Sequence, residues 1–169
     1  MSDFDPDAYG PVLAPWLAID RCRPLDGGSP DYARRKQLAE MTVDSAFNHA
    51  ALQDPIQAEA CVAGVWLLHD FLNESHLISQ SLDTAEGSFW HGIMHRREGD
   101  FSNAKYWFRR VGDHPVLGRL AEEFGEWDPF AFVDQCEAAV RGTGDANAAR
   151  AAQQAEWETL FDWCYQQAM

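Results

Sequence analysis

The chain has 169 residues, of which 46% are hydrophobic and 24% are charged, a composition typical of a folded globular protein. Its net charge of −14 at pH 7 disfavours nucleic acid and anionic membranes as partners, because both are bound mainly through Lys and Arg. A chain of this length commonly forms one domain, and we predict a single domain over residues 1–169.

The N-terminal segment MSDFDPDAYG is acidic and lacks the basic and apolar regions of a secretory signal. No apolar run approaches the roughly 20 residues that a membrane-spanning helix needs. The four cysteines are widely spaced and form no C-x-x-C pair, which is typical of reduced thiols. We therefore expect a cytoplasmic protein.

Proline and glycine are frequent in residues 1–30, which predicts a loop-rich segment with one short helix near residues 12–21. Ser29 followed by Pro30 is typical of a helix cap and first turn. Apolar residues at helical spacing then predict a helix over residues 31–49.

Asp54 followed by Pro55 predicts the start of the next helix, over residues 56–69. That helix is apolar on most sides, so we expect it in the core. A break and a second helix to about residue 82 follow, and two more helices are predicted over residues 88–97 and 101–111.

Three further helices are predicted in the C-terminal part, over residues 116–124, 130–141 and 147–169. The last one carries Trp157, Leu160, Phe161 and Cys164 at i, i+3, i+4 and i+7, so its apolar face must dock on this chain or on a second copy. Because no segment alternates with period two, we predict an all-α fold of seven to nine helices.

Residues 59–115 contain an internal repeat with an offset of 29 residues. The aligned pairs are Ala63 and Gly92, Asp70 and Gly99, Leu72 and Phe101, Ser75 and Ala104, and Leu82 and Val111. Each copy has a small residue midway along its first helix, then a short turn, then a small residue in its second helix. This pattern predicts two successive helical hairpins.

The second hairpin resembles the tetratricopeptide repeat. Gly92, Gly99, Phe101, Ala104 and Phe108 fall where that family has a small residue, a turn glycine, an aromatic, an alanine and an aromatic. The resemblance implies two antiparallel hairpins over residues 54–115, with a C-terminal helical cap over residues 116–169. The stretch HGIMHRREGDFSNAKYWFRRVGDHP is also similar to segments of bacterial and fungal proteins, a likeness that implies no chemistry.

Polar chemistry concentrates in this hairpin, which is locally basic: residues 95–110 hold five basic and two acidic side chains. Our first hypothesis is a non-catalytic binding or scaffold module whose contact surface is the hairpin over residues 91–114. Its partner would be a protein or a small anionic ligand, and no cofactor is predicted. The candidate contact residues are His91, His95, Arg96, Glu98, Asn103, Lys105, Trp107, Arg109, Arg110 and His114. Arginine with an aromatic neighbour suits a carboxylate or phosphate.

The alternative is a small metal-dependent hydrolase. His91 and His95 lie at i, i+4 on one helix face, and H-x-x-x-H fragments occur in many metal sites. The predicted ligands of a divalent metal are His76, His91, His95 and Glu98, with Asp70 or Glu74 as further carboxylates. The glutamate of an H-E-x-x-H motif is absent, since Gly92 follows His91.

Two further interpretations remain open. His49 and the doublet His69–Asp70 resemble the HD phosphohydrolase pattern, which needs one later aspartate. The available aspartates are Asp100, Asp128 and Asp134. The polar residues of the hairpin, His91, His95, Glu98, Asn103 and Arg110, also predict a buried network that only sets helix register. No nucleophile elbow, P-loop or dinucleotide fingerprint occurs, so the sequence does not decide whether the protein is an enzyme.

Overall fold

The computed structural model describes residues 4–169, and within that range the fold is all-α without strands, as predicted. A 3-10 turn at Pro6–Tyr9 precedes ten α-helices. These are α1 (Gly10–Leu17), α2 (Tyr32–Ala39), α3 (Val43–Ala46), α4 (Pro55–Leu68), α5 (Leu72–Ser79), α6 (Ala85–Glu98), α7 (Phe101–Val111), α8 (Pro115–Phe124), α9 (Pro129–Val140) and α10 (Ala146–Ala168).

The helix count exceeds the predicted seven to nine because the helix expected over residues 31–49 is two helices, α2 and α3. The chain breaks where Thr42 and Ser45 form a reciprocal capping box, which begins a new helix. The predicted cap at Ser29 is also wrong. Asp31 caps α2 by accepting a hydrogen bond of 3.0 Å from the Ala33 amide.

Helix α4 begins at the predicted Asp54 cap, whose carboxylate accepts from two backbone amides of the first turn. Beyond the exposed Ile56 in that first turn, almost every side chain of α4 is buried. The helix packs against α5, α6 and α10. It therefore lies at the centre of the core, as its uniformly apolar sequence predicts.

The chain forms two helical hairpins in this region, α4–α5 and α6–α7. Asp70 and Gly99, aligned in the sequence, both have left-handed backbones, with φ of 64° and 87°. The aligned Ser75 and Ala104 are both fully buried. A Cβ atom on Gly92 would lie 3.0 Å from the Phe108 ring, so the small residue allows α6 and α7 to approach closely.

The final helix docks on its own chain. Trp157 of α10 donates an indole hydrogen bond of 3.0 Å to the Gly64 carbonyl of α4, and the other three predicted apolar positions are fully buried. Helices α8 and α9 also pack on α10. Helix α10 has 23 residues. Neither α10 nor any other helix within residues 4–169 is both long enough and apolar enough to cross a membrane.

Two consecutive arginines at the end of α6 point into the protein. Arg96 is fully buried and makes a bidentate ion pair with Glu156 of α10, with N–O distances of 3.1 and 2.5 Å. Gln153 of α10 accepts a further hydrogen bond from the same guanidinium, at 3.4 Å. A planar guanidinium suits this bidentate geometry, so the pair joins α6 to α10 in one orientation.

Arg97 ties α6 to the turn between α4 and α5. Its guanidinium donates to the Asp70 carboxylate at 2.6 Å and to the Leu67 carbonyl at 2.8 Å. Burial alone would raise the pKa of Asp70, but hydrogen bonds from Arg23 and Arg97 outweigh it and lower that pKa. The contacts also hold Asp70 in a backbone conformation that is unfavourable for any residue with a Cβ.

Replacing Glu156 by Gln should lower the free energy of unfolding by about 3–5 kcal/mol, because Arg96 would remain charged and buried without its counterion. Urea unfolding followed by circular dichroism measures the loss. The double variant Arg96→Met, Glu156→Leu should recover most of it. As a matched control, Lys105→Ala breaks the more exposed pair with Asp134 and should cost no more than about 1 kcal/mol. Equal losses of unfolding free energy in Glu156→Gln and Lys105→Ala would contradict the larger contribution expected from the buried pair.

Candidate metal centre

Three histidines predicted as metal ligands converge in the structure. His76 lies on α5, whereas His91 and His95 lie on α6. One ring nitrogen from each lies within 4.8 Å of the other two. The ring centroids are 4.6 Å apart for His76 and His91, 4.7 Å for His91 and His95, and 5.4 Å for His76 and His95. We call this trio the histidine cluster.

The helical hairpins explain why these rings meet. His91 and His95 are one turn apart, so they share a face of α6, and α5 packs against α6 and brings in His76. From α7, Trp107 stacks its indole on the His91 ring, with centroids 3.7 Å apart. The cluster thus has two ligands on one rigid helix, a third on its neighbour and an aromatic wall on α7.

His91 lies in an unusual environment for an imidazole. Only 2% of its surface is exposed, and its Nδ1 is buried without a hydrogen-bond partner among residues 4–169. Leaving a buried polar atom unpaired costs about 1–3 kcal/mol, so such atoms in proteins call for an explanation. Burial, followed by the nearby His95 and His76, lowers the pKa of His91 to about 3. The ring is therefore neutral at pH 7, the form that binds metals.

His76 shares this character but is more accessible. It is half-buried, and burial lowers its pKa, with the neighbouring His95 acting in the same direction. The rings of His76 and His91 are thus uncharged at neutral pH, so each has one nitrogen with a free lone pair. A metal ion can bind that nitrogen without displacing a proton.

His95 has a carboxylate partner. Its Nδ1 lies 2.5 Å from Glu98 Oε1, so the ring donates its proton to Glu98 and keeps a lone pair on Nε2. The Asn103 side-chain nitrogen, on α7, lies 3.1 Å from that Nε2. A carboxylate that accepts from the outer nitrogen of a histidine is the usual second layer of a zinc site.

The spacing of the cluster is compatible with one metal ion. Zinc–nitrogen bonds of about 2.0–2.1 Å in a tetrahedron place ligand nitrogens about 3.4 Å apart. The largest separation within the cluster, up to 4.8 Å, exceeds this by about 1.4 Å, which modest side-chain rotation covers. Three imidazoles in this arrangement could therefore hold a divalent ion.

Other candidates for the contact surface are placed differently from the prediction. Arg96 and His114 are buried, the first against Glu156 and the second with its Nε2 3.2 Å from Glu86, so neither belongs to a surface. The sequence predicts exposure for a helix end rich in polar residues. It does not indicate that Glu156 and Glu86, which are distant in the chain, pair with these two side chains in the interior.

The remaining basic candidates are at the surface. Lys105 already pairs with Asp134 at 2.5 Å, and Arg110 lies 3.5 Å from the exposed Asp83. Arg109 is exposed. Arg110 is therefore not part of the predicted buried network. The part of that network that the structure contains is the set of contacts between His95, Glu98 and Asn103.

The carboxylates expected to join the cluster do not. Asp70 is held by Arg97, and Glu74 pairs with Arg35 at 2.6 Å. A second group of close ligand-type residues is His95, Glu98 and Asp100, but the Asp100 carboxylate caps α7. Local helix capping and ion pairing thus use these acids.

The HD interpretation is also wrong, because its residues have separate partners. His49 bonds the Tyr165 hydroxyl at 2.8 Å, whereas the His69 Nε2 lies 2.9 Å from the Trp16 carbonyl. The later aspartates are engaged as well: Asp100 and Asp128 cap helices, and Asp134 pairs with Lys105.

The contacts of Trp107 and Asn103 with the cluster were not predicted, although a signal was present. In an antiparallel hairpin that turns at Gly99, residues at equal distances before and after the turn lie opposite each other. His91 and Trp107 are each eight residues from Gly99, and His95 and Asn103 are each four residues from it. The hairpin symmetry therefore indicates both contacts.

Comparison of the chain with protein-family models, with curated proteins and with solved structures found no match.

The cluster should make the metal-free protein sensitive to acid. The pKa of His91 is about 6.5 in an unfolded chain and about 3 here, so between these values the unfolded state binds more protons. Stability should therefore fall as the pH drops below 6.5, by up to about 1.4 kcal/mol per unit from this residue. His91→Gln should gain about 2 kcal/mol relative to wild type between pH 7 and pH 4.5, measured by urea unfolding with chelator. If the stability of wild type and of His91→Gln depends on pH in the same way, this prediction is contradicted. The variant His49→Gln controls for the loss of a surface histidine.

Proposed function

We propose that this protein binds one divalent transition-metal ion through His76, His91 and His95, with Glu98 orienting His95. The observation that carries the proposal is the convergence of three histidines, each with a ring nitrogen within 4.8 Å of the others, beside a buried His91 Nδ1 that has no hydrogen-bond partner in residues 4–169. A metal bond to that Nδ1 would remove the cost of leaving it unpaired.

The ligand type favours a particular group of metals. Imidazole suits zinc, copper, iron and nickel, whereas magnesium and calcium prefer oxygen ligands. Because the pKa values of His91 and His76 are lowered, protons compete weakly for these two rings at pH 7. Zinc is the simplest candidate, since tetrahedral nitrogen coordination is common for it and needs no redox chemistry.

The surroundings of α6 support a binding site rather than a structural zinc. The helix is already fixed on two other sides, by Arg96 with Glu156 and by Arg97 with Asp70. Its neighbours α4 and α10 share a continuous apolar core with it. The fold therefore has sources of stability that do not depend on a metal, unlike zinc fingers, which unfold without theirs.

The scaffold hypothesis and the hydrolase hypothesis stay predictions. The basic contact surface loses Arg96 and His114 to the interior. Of its predicted residues, Glu98, Arg109 and Arg110 are exposed. Hydrolysis would require a substrate cleft beside the metal, yet clefts of about 550 and 450 Å³ lie beside Asp70 and beside Tyr9, lined by other residues. We therefore propose metal binding without assigning a reaction.

A cytoplasmic location and the relation to tetratricopeptide hairpins are part of this proposal. The four cysteines are free, three of them buried, which fits a reducing compartment. The two hairpins fit the repeat resemblance. The excess of acidic residues leads us to expect no nucleic-acid partner.

Calorimetric titration of chelator-treated protein with Zn²⁺ at pH 7.5 tests the proposal. We expect about one ion per chain. Glu98→Gln should weaken binding by about 10–100-fold, the usual effect of losing an outer-layer carboxylate, and His91→Gln or His95→Gln should weaken it more, because each removes a ligand.

His49→Gln is the matched control, because His49 contacts Tyr165 and not the cluster. Its zinc affinity should equal that of wild type, and circular dichroism should show that all variants remain helical. Zinc affinity unchanged in both His91→Gln and His95→Gln would rule out the site.

A further inference from the structure

Among residues 4–169, the histidine cluster offers three ligands to a tetrahedral ion. The Glu98 carboxylate is already engaged, since it lies 2.5 Å from Nδ1 of His95. Asp70 and Glu74 pair with arginines, and Asp100 caps α7. Closed structural zinc sites use four protein ligands, whereas sites with three keep one position for water or another external ligand.

We propose that the bound metal ion has a fourth, exchangeable coordination position that takes a small monodentate anion, and that Asn103 donates a hydrogen bond to this anion. The inference rests on the proposed metal site and specifies what that site would bind.

The preference for an anion follows from charge. Three neutral imidazoles leave the two positive charges of the ion uncompensated, and Glu98 supplies one negative charge from behind His95. A monoanion at the fourth position would complete the charge balance of the site.

The position of Asn103 gives it a role. Its side-chain nitrogen is 3.1 Å from Nε2 and 3.4 Å from Nδ1 of His95, so the amide lies beside this ring. If a metal ion binds Nε2 of His95, this amide N–H loses its nearer acceptor beside the coordination sphere. An anion on the metal would offer a new one.

The arrangement of walls indicates the side of approach. Trp107 covers the His91 ring, and His91 is almost fully buried, whereas His76 is half-buried and lies nearest to solvent. A small ligand would therefore approach the metal from the side of His76, the most exposed of the three rings.

Cobalt(II) replaces zinc in such sites and reports its coordination through visible absorption, intense for four ligands and weak for six. Titrating Co²⁺ into chelator-treated protein should give intense bands that are absent in His91→Gln. Adding sodium azide should then shift these bands saturably. In Asn103→Ala the cobalt bands should remain, while the azide affinity falls several-fold through loss of one hydrogen bond to an anion.

The outcomes separate this inference from the proposed function. If no histidine-dependent cobalt bands form, the metal site itself is refuted. If the bands form but azide leaves them unchanged, the fourth position is closed and the inference fails. If Glu98→Gln replaces the intense four-coordinate bands by weak ones, Glu98 is the fourth ligand, and the inference fails in this case too. Equal azide affinity in wild type and Asn103→Ala would show that Asn103 does not donate a hydrogen bond to the anion.

Discussion

The orientation of α6 depends on two buried ion pairs made by consecutive residues. Arg96 reaches α10 and Arg97 reaches the α4–α5 turn, about 100° apart around the helix. A buried charge is tolerable only with its counterion, so α6 cannot rotate about its axis without separating at least one pair. The face that carries His91 and His95 is fixed as a result. The geometry of the histidine cluster is thus a consequence of interactions on the opposite sides of the same helix.

The distribution of charge follows from the same constraint. The chain carries an excess of acidic residues, yet its most buried charged groups include two arginines at the C-terminal end of α6. Positive charge there complements the helix dipole, and each guanidinium also satisfies several acceptors at once. The His91 imidazole, five residues before Arg96, lies outside these pairs. Burial lowers the pKa of His91, so this ring avoids burying charge by remaining neutral, the form that binds metal ions.

Much of the fold follows from local signals in the sequence. The caps at Asp54, Asp100 and Asp128 each begin a helix, and the repeat offset locates both hairpins, because capping and turn chemistry act within a few residues. The candidate site is predicted in part: i, i+4 spacing relates His91 to His95, and the repeat brings the His76 helix alongside. The burial of Arg96 could not be predicted, since its partner Glu156 is 60 residues away and spacing carries no information at that range.

The aligned turns of the two hairpins have diverged in a way that limits how the molecule could grow. Gly99 adopts its left-handed backbone without help, whereas Asp70 does so while its carboxylate is bound by Arg97, a residue of the other hairpin. In an extensible repeat array each unit contacts its neighbours through interchangeable surfaces. Here one copy supplies the counterion of the other, and α10 covers the pair. Inserting a third hairpin between them would separate Asp70 from Arg97 and leave it with Arg23 alone, so the two hairpins form a closed pair and not the start of a solenoid.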